Sequence, residues 1–373
     1  MPLPQSEAIV DLDAVRANTA RLAAGTSAQV MAVVKADGYG HGMVPSARAA
    51  LAGGATWLGA CTVPEALALR AAGITAPVFA WLIAPGQPLA GAVGADIDLS
   101  ASTVPGLGEV VAAARETGRT ARVHLKVDTG LGRNGATVAD WPDLLAAAAK
   151  HAAEGTVDVV GVWSHLARAD EVGHPANVRQ VAVFTEALET AEAAGVRPVV
   201  RHLANSPATL TMPSAHFDLV RPGIALYGLS PVAGDTFGLR PAMTLRASLV
   251  NVKRVPAGQG VSYGHTYTTE RETTLALVPL GYADGIPRTA SGRGPLLVGG
   301  RRRVIAGRVC MDQVVVDVGD DAVRAGDDAV LFGPGDDGEP TADDWAEVLD
   351  TINYEIVTRI GARVPRTYRG DST

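Results

Sequence analysis

The 373 residues include 32 Lys and Arg against 39 Asp and Glu, for a formal net charge of −7 and a pI near 5.6, and 47% are hydrophobic against 19% charged. That balance is globular rather than disordered, gives no electrostatic reason to bind nucleic acid, and at this length suits two domains or one large barrel with an appendage. Cys61 and Cys310 are far apart and form no CxxC or metal-ligand spacing, so neither a disulfide framework nor a metal site is expected. The start MPLPQSEAIVDL lacks the basic and apolar segments of a secretory leader, and no apolar run is long enough to cross a bilayer. The expectation is a soluble cytoplasmic protein with no membrane partner.

To about residue 225, continuous apolar runs alternate with alanine-rich segments of helical periodicity. The runs at 29–34, 57–61, 77–82, 121–127, 157–163, 199–203 and 217–220 suit strands buried on both faces, as parallel sheets require. Helices are expected at 14–24, 46–52, 104–117, 143–153 and 177–194, and Thr62 with Pro64 and Glu65 spells a capping box that starts another. Repeated βα units predict an α/β fold, a (β/α)8 TIM-like barrel over residues 1–238, with a doubly wound sheet as the alternative. After Leu229 the stretch SPVAGDTFGLRPAM marks a boundary. Beyond it SLVNVKRV, TTLALVPL, RRRVIAGRV and QVVVDVG alternate between turn residues, predicting a smaller, mostly antiparallel β domain over 239–373 with one late helix at 343–352.

The strongest local signal is VVKADGYGHG, residues 33–42, in which a buried strand ends at Lys35 and opens into a glycine-rich turn with Tyr39 and His41. A lone strand-end lysine is ordinarily a solvated charge, but the C-terminal end of an early barrel strand is where barrel enzymes place their chemistry. A partly desolvated lysine has a lowered pKa and can act as a nucleophile and proton carrier. Further strand-end segments are LKVDTGLGRNG (125–135), WSHLARAD (163–170), HLANSPATL (202–210) and VRPGIALYG (220–228), and the β domain carries GVSYGHTY (260–267), GYADGIPR (281–288) and GRVCMDQV (307–314). In HLANSPATL, Asn205 opens a helix whose free N–H groups suit a phosphate and Ser206 adds a hydroxyl, while Gly223 permits close backbone approach. Gly130, Gly132 and Gly135 formally spell GxGxxG, a weak dinucleotide signal with no suitable acidic residue ending the next strand.

In this order the motifs resemble, over nearly the whole chain, the alanine racemase family of pyridoxal 5'-phosphate enzymes. The resemblance implies racemisation of L- and D-alanine by two bases, supplying D-alanine for cell-wall peptidoglycan. Lys35 would bind the cofactor covalently and serve the D-face, and Tyr263, donated by the other subunit of a head-to-tail homodimer, would serve the L-face. Tyr39, Asn205, Ser206, the N–H groups of Gly223 and Ile224, and Tyr354 would meet the phosphate. Trp81 would line the cofactor ring, His165 would lie beneath it, and Arg221 would face its pyridine nitrogen. Guanidinium keeps its proton near neutral pH, so it would leave that nitrogen unprotonated and the ring a weaker electron sink. Arg133 and the N–H of Met311 would meet the substrate carboxylate, and Tyr282 would line the entry. Lys126, carbamylated in many members, would orient Arg133, and Cys310 and Asp312 would be structural supports. Leu166, where many members carry an aromatic residue, departs from the pattern and bears on packing. Rival readings are a related barrel decarboxylase, a non-enzymatic single-barrel cofactor carrier and a dehydrogenase.

Overall fold

The structure is a computed structural model that describes residues 5–370. Eight parallel strands form one sheet in the order β8-β7-β6-β5-β4-β3-β2-β9: β2 (Gln29–Val33), β3 (Trp57–Ala60), β4 (Val78–Ala80), β5 (Ile97–Ala101), β6 (Ala121–Lys126), β7 (Val157–Trp163), β8 (Val200–His202) and β9 (Leu219–Val220). The ends of the sheet meet where Asp218 N–H donates to Arg201 O (3.1 Å) and Arg221 N–H to Ala204 O (2.9 Å), so the sheet rolls into the expected barrel. Apolar helix faces pack outside, and Met31, Trp57, Phe79, Val160, Trp163, Val200 and Leu219 fill the inside as a separate cluster. Large inward side chains make a solid core rather than a pore. Phe79 is fully buried there, and its loss to alanine would cost about 3–5 kcal/mol.

The helix Val63–Ala71 begins at the expected capping box, with Thr62 and Glu65 each bonded to the other's backbone N–H. The helix Val104–Thr117 has the expected bounds, while Leu12–Ala24, Met43–Ala52, Trp141–Ala153 and Pro175–Ala193 begin two or three residues earlier than their patterns suggested. Strand β5 was not anticipated. Its sequence IDLSA is broken by Asp98 and Ser100, whose polar groups are buried and bonded inside the barrel, so apolar continuity was the wrong criterion there.

Strand β1 (Ser6–Asp11) was also missed, and it leaves the barrel altogether. It pairs antiparallel with β10 (Met243–Ser248) and parallel with β19 (Arg366–Arg369), inside a six-stranded sheet completed by β18 (Asp328–Phe332), β15 (Pro295–Val298) and β16 (Arg301–Val304). A three-stranded antiparallel sheet of β11 (Asn251–Val255), β14 (Thr273–Val278) and β17 (Val314–Gly319), and the hairpin β12 (Gly260–Val261) with β13 (Tyr267–Thr268), make the remainder mostly antiparallel as expected. The late helix runs over Ala342–Leu349 and stops at Asp350, whose φ of 55° is left-handed. A second short helix, Asn353–Thr358, follows and carries Tyr354.

His41 is fully buried, stacked on Tyr227 (centroids 4.4 Å apart), with Nδ1 against the carbonyls of Gly38 and Tyr39 at 3.0 Å each. Burial, offset in part by those carbonyls, pushes it from the ordinary 6.5 down to about 4. The unfolded chain therefore takes up the proton first, and stability present above pH 6.5 drains away as pH falls toward 4, by on the order of 3 kcal/mol from this residue. Urea unfolding at pH 7 and pH 5 should show about 2 kcal/mol of that loss, with a shallower pH slope in His41→Phe.

Candidate active site

The C-terminal mouth of the barrel gathers most of the expected residues. Lys35 lies just beyond β2, Trp81 beyond β4, Lys126 ends β6, Trp163 ends β7, His202 ends β8 and Arg221 follows β9. The turn after Lys35 is left-handed at Ala36, Asp37 and Tyr39 (φ 52–53°), a conformation costly for side-chain-bearing residues and typical of functional sites. It is held by Ala36 N–H to Glu65 Oε1 and Met43 N–H to Asp37 Oδ1, both 2.8 Å. Glu65, which the sequence marked only as a helix cap, thus also anchors the lysine turn.

Lys35 Nζ lies 6.0 Å from the Tyr39 ring centroid and 5.7 Å from that of Trp81. Burial, together with the charge of Arg133, lowers its pKa against the opposing pull of Cys61 and Glu65, which makes the neutral amine easier to reach. Lys126 Nζ sits 4.2 Å from the Trp163 ring centroid and is pushed down to about 8 by burial and by Arg221 and Arg133. Arg133 itself is exposed.

Arg221 is buried, with its guanidinium carbon 5.0 Å from the Trp163 centroid. It donates to Ser164 O (2.7 Å), Leu203 O (3.2 Å) and His202 Nδ1 (3.0 Å), and lies 3.3 Å from His165 Nδ1. None of these acceptors is a carboxylate. Burial brings Arg221 down to about 9, so it remains a cation at neutral pH. His165 is held well below the usual histidine range by burial and by the charges of Arg221, Arg133, Lys126 and Lys35.

A second group lies beside the first. Tyr39 is buried against Tyr227 and 6.2 Å, ring to ring, from Tyr354; burial raises the pKa of both Tyr39 and Tyr354, keeping the phenols protonated donors. A Cβ on Gly223 would collide with the Tyr39 hydroxyl, so only glycine lets that hydroxyl meet the backbone here. Gly223 N–H donates to Ser206 Oγ at 2.7 Å, and Asn205 caps the helix Ser206–Thr211 by accepting from Ala208 N–H. Asn205→Ala should lose that cap and about 1 kcal/mol, read as a lower melting temperature.

Tyr263, Tyr282 and Met311 are not brought to Lys35. All three are exposed on the β domain, Tyr263 at 71%, and their loops are laced together. Tyr282 N–H donates to Cys310 O, Ala283 N–H to Met311 O, and Ser262 Oγ–H to Arg308 O. Ile224 is buried in the short turn Ile224–Tyr227, and Asp312 pairs with Arg363 at 2.7 Å. The rival glycine motif is filled from within: the Asp128 carboxylate accepts from the N–H groups of Gly130, Leu131 and Gly132, where a dinucleotide phosphate would need to sit.

His202, His124 and Asp98 inside the barrel, and Cys61 near Lys35, were not singled out in the sequence. Period-2 alternation in β6 puts His124 on the same side as Lys126, a signal that could have found it.

A parallel barrel that gathers a desolvated lysine, buried aromatic rings and several cations at its C-terminal mouth, followed by an antiparallel β domain, has the layout of a barrel enzyme. The family profiles for the alanine racemase N-terminal and C-terminal domains match residues 10–231 and 242–368. The alanine racemase of Salinispora arenicola is 67% identical over 98% of this chain and 99% of its own. The crystal structure of alanine racemase from D-cycloserine-producing Streptomyces lavendulae superposes with a TM-score of 0.98 at 60% identity, covering 100% of this chain and 98% of that one. The Corynebacterium glutamicum alanine racemase structure gives 0.87 at 39% identity, covering 98% and 100%. The chain belongs to the alanine racemase family and is a racemase enzyme.

Proposed function

We propose that this enzyme interconverts L- and D-alanine with pyridoxal 5'-phosphate, using Lys35 and the partner subunit's Tyr263 as opposed bases. The observation that carries the reading is the pairing of the desolvated Lys35 amine with a separate nest of hydroxyls and a buried, carboxylate-free arginine at one barrel mouth. These residues fit the cofactor chemically. Tyr39, Ser206, Tyr354 and the backbone at Gly223 and Ile224, beside the capped helix at Asn205, offer donors to a phosphate, and Arg221 offers N–H groups to a ring nitrogen. Trp81 and His165 would bound the ring. When bound, the cofactor supplies an electron-withdrawing ring that acidifies the α C–H of an amino acid.

The chain's own residues do the rest. Lys35 would hold the cofactor through Nζ, and the same amine would move a proton at the D-face. Arg221 keeps its own proton, so it would donate to a ring nitrogen without protonating it and would limit how far negative charge collects there. That restraint suits a reaction that only moves a proton. Arg133 would steer the substrate carboxylate. Lys126, with a pKa near 8, has enough neutral amine to take up carbon dioxide, and the resulting carbamate would face Arg133.

Tyr263, Tyr282 and the N–H of Met311 would complete the site of a second copy in a head-to-tail homodimer with two composite sites, and this would explain why one chain leaves them exposed while tying their loops together. Asp312, paired with Arg363, would support Met311. We also propose that residues 1–238 and 239–373 are the functional units, the first forming the barrel but lending β1 to the sheet of the second, that the D-alanine made serves peptidoglycan, and that the free thiols of Cys61 and Cys310 suit the cytoplasm.

The test is a chiral assay of cofactor-loaded enzyme on a panel of L-amino acids. D-alanine should form fastest and serine more slowly. No conversion of alanine, or equal rates across large side chains, would overturn the reading.

A further inference from the structure

The barrel interior holds three fully buried ionisable groups that the reaction above does not use: Asp98, His124 and His202. They form one continuous line. Arg221 Nη1 lies 3.0 Å from His202 Nδ1, His202 Nε2 lies 2.8 Å from His124 Nδ1, and His124 Nε2 lies 3.1 Å from Asp98 Oδ2. At the far end Arg122 clamps the carboxylate through Nε (2.5 Å) and Nη2 (3.2 Å). Asp98 and Arg122 each lie second in their strand, near the N-terminal rim, whereas Arg221 stands at the opposite mouth, so the line crosses the barrel.

Hydrogen-bond bookkeeping admits one proton arrangement. Arginine only donates, so His202 Nδ1 must accept and the His202 proton must sit on Nε2. That proton has only His124 Nδ1 to go to, which places the His124 proton on Nε2, aimed at the carboxylate. A second proton on either ring would set two donors face to face. Burial pushes the Asp98 carboxyl up, but the hydrogen bonds from His124 and Arg122 and the Arg122 charge pull the other way, and it lies below the usual carboxylate range, hence ionised.

The fold makes room for the line. A Cβ on Gly161 would collide with His124 Nδ1, and the β6–β7 register shifts between Val123 and His124. Phe79 stacks on His124 at 4.4 Å, and Trp163 lies parallel to His202 at 5.7 Å. The rings are held from the sides as well as end to end.

We propose that Asp98 and His124 are positioning residues for Arg221, carrying the pull of a fixed carboxylate through two neutral imidazoles so that the guanidinium keeps one orientation. Chained hydrogen bonds polarise one another, making His202 Nδ1 a stronger acceptor than an isolated imidazole. This stands in for the carboxylate that Arg221 lacks, without cancelling its charge beside the cofactor. The proposal rests on the reading of Arg221 given above.

The first test needs no cofactor. In 15N-histidine-labelled apo protein, His124 and His202 should both show protonated Nε2 and bare Nδ1, with scalar coupling across the His202–His124 hydrogen bond. Asp98→Asn, which keeps the shape but drops the charge, should shift His202 Nδ1 toward an unperturbed imidazole. In loaded enzyme, Asp98→Asn and His124→Phe should each lower kcat roughly 10- to 100-fold, by analogy with the loss when hydrogen-bond partners of metal-ligating histidines are removed, with KM within about twofold. The double variant should lose no more than the worse single one, because both act through one line. The opposite tautomers, absent coupling, wild-type kcat in both variants or additive losses would overturn the proposal. Failure of the parent reading would show separately, as absent alanine conversion in wild type with the apo spectrum unchanged.

Discussion

Lys35→Ala is expected to remove both the visible absorbance of the loaded enzyme and alanine racemisation in either direction. A positioned general base is worth about 10² to 10⁴ in rate, and the loss here should exceed the upper end because the same nitrogen also holds the cofactor. The structure gives the physical reason. The amine is desolvated between Tyr39 and Trp81, at the start of a turn that is left-handed at three side-chain-bearing residues. Absorbance titration with added pyridoxal 5'-phosphate and the chiral assay measure the two losses. An unchanged chromophore in Lys35→Ala would show that another group binds the cofactor.

Tyr263→Phe should leave the chromophore intact and slow racemisation by roughly 10² to 10⁴. Its signature is directional: in deuterated water the variant should still exchange the α-hydrogen of D-alanine, the face assigned to Lys35, and fail to exchange that of L-alanine. Equal exchange of both enantiomers would break the two-base assignment. A mixture of Tyr263→Phe and Lys35→Ala subunits also tests where Tyr263 acts. Each variant alone should keep about 1% of wild-type racemisation or less, yet a heterodimer would rebuild one site from an intact lysine and an intact tyrosine. Random reassociation of equal amounts should then recover about a quarter of the wild-type sites. No recovery would mean that Tyr263 serves its own chain or none.

Much of this was legible before any coordinates. The lysine turn, the capping box at Thr62 and the split between barrel and β domain are local patterns. Each follows from apolar period, turn residues or capping chemistry within about ten residues. What escaped were elements whose reason is distant. Strand β1 was passed over because the partners that make it a strand, β10 and β19, lie some 240 and 360 residues further along. Strand β5 is polar where a buried strand should be apolar, because Asp98 and Ser100 satisfy their polar groups on side chains from β6 and β7.

The candidate site divides along the same line. The residue types and their order along the chain carried the family, because a lysine at a strand end, an arginine after the last barrel strand and a tyrosine in a β-domain turn are written in the sequence. The sequence did not contain the convergence of His202, His124 and Asp98 behind Arg221, nor the use of Glu65 to anchor the lysine turn, nor the fact that Tyr263 faces outward in a single chain. Those depend on which side chains a closed barrel brings within 3 Å of one another, and pattern within a strand says which face a residue takes without saying what it meets there.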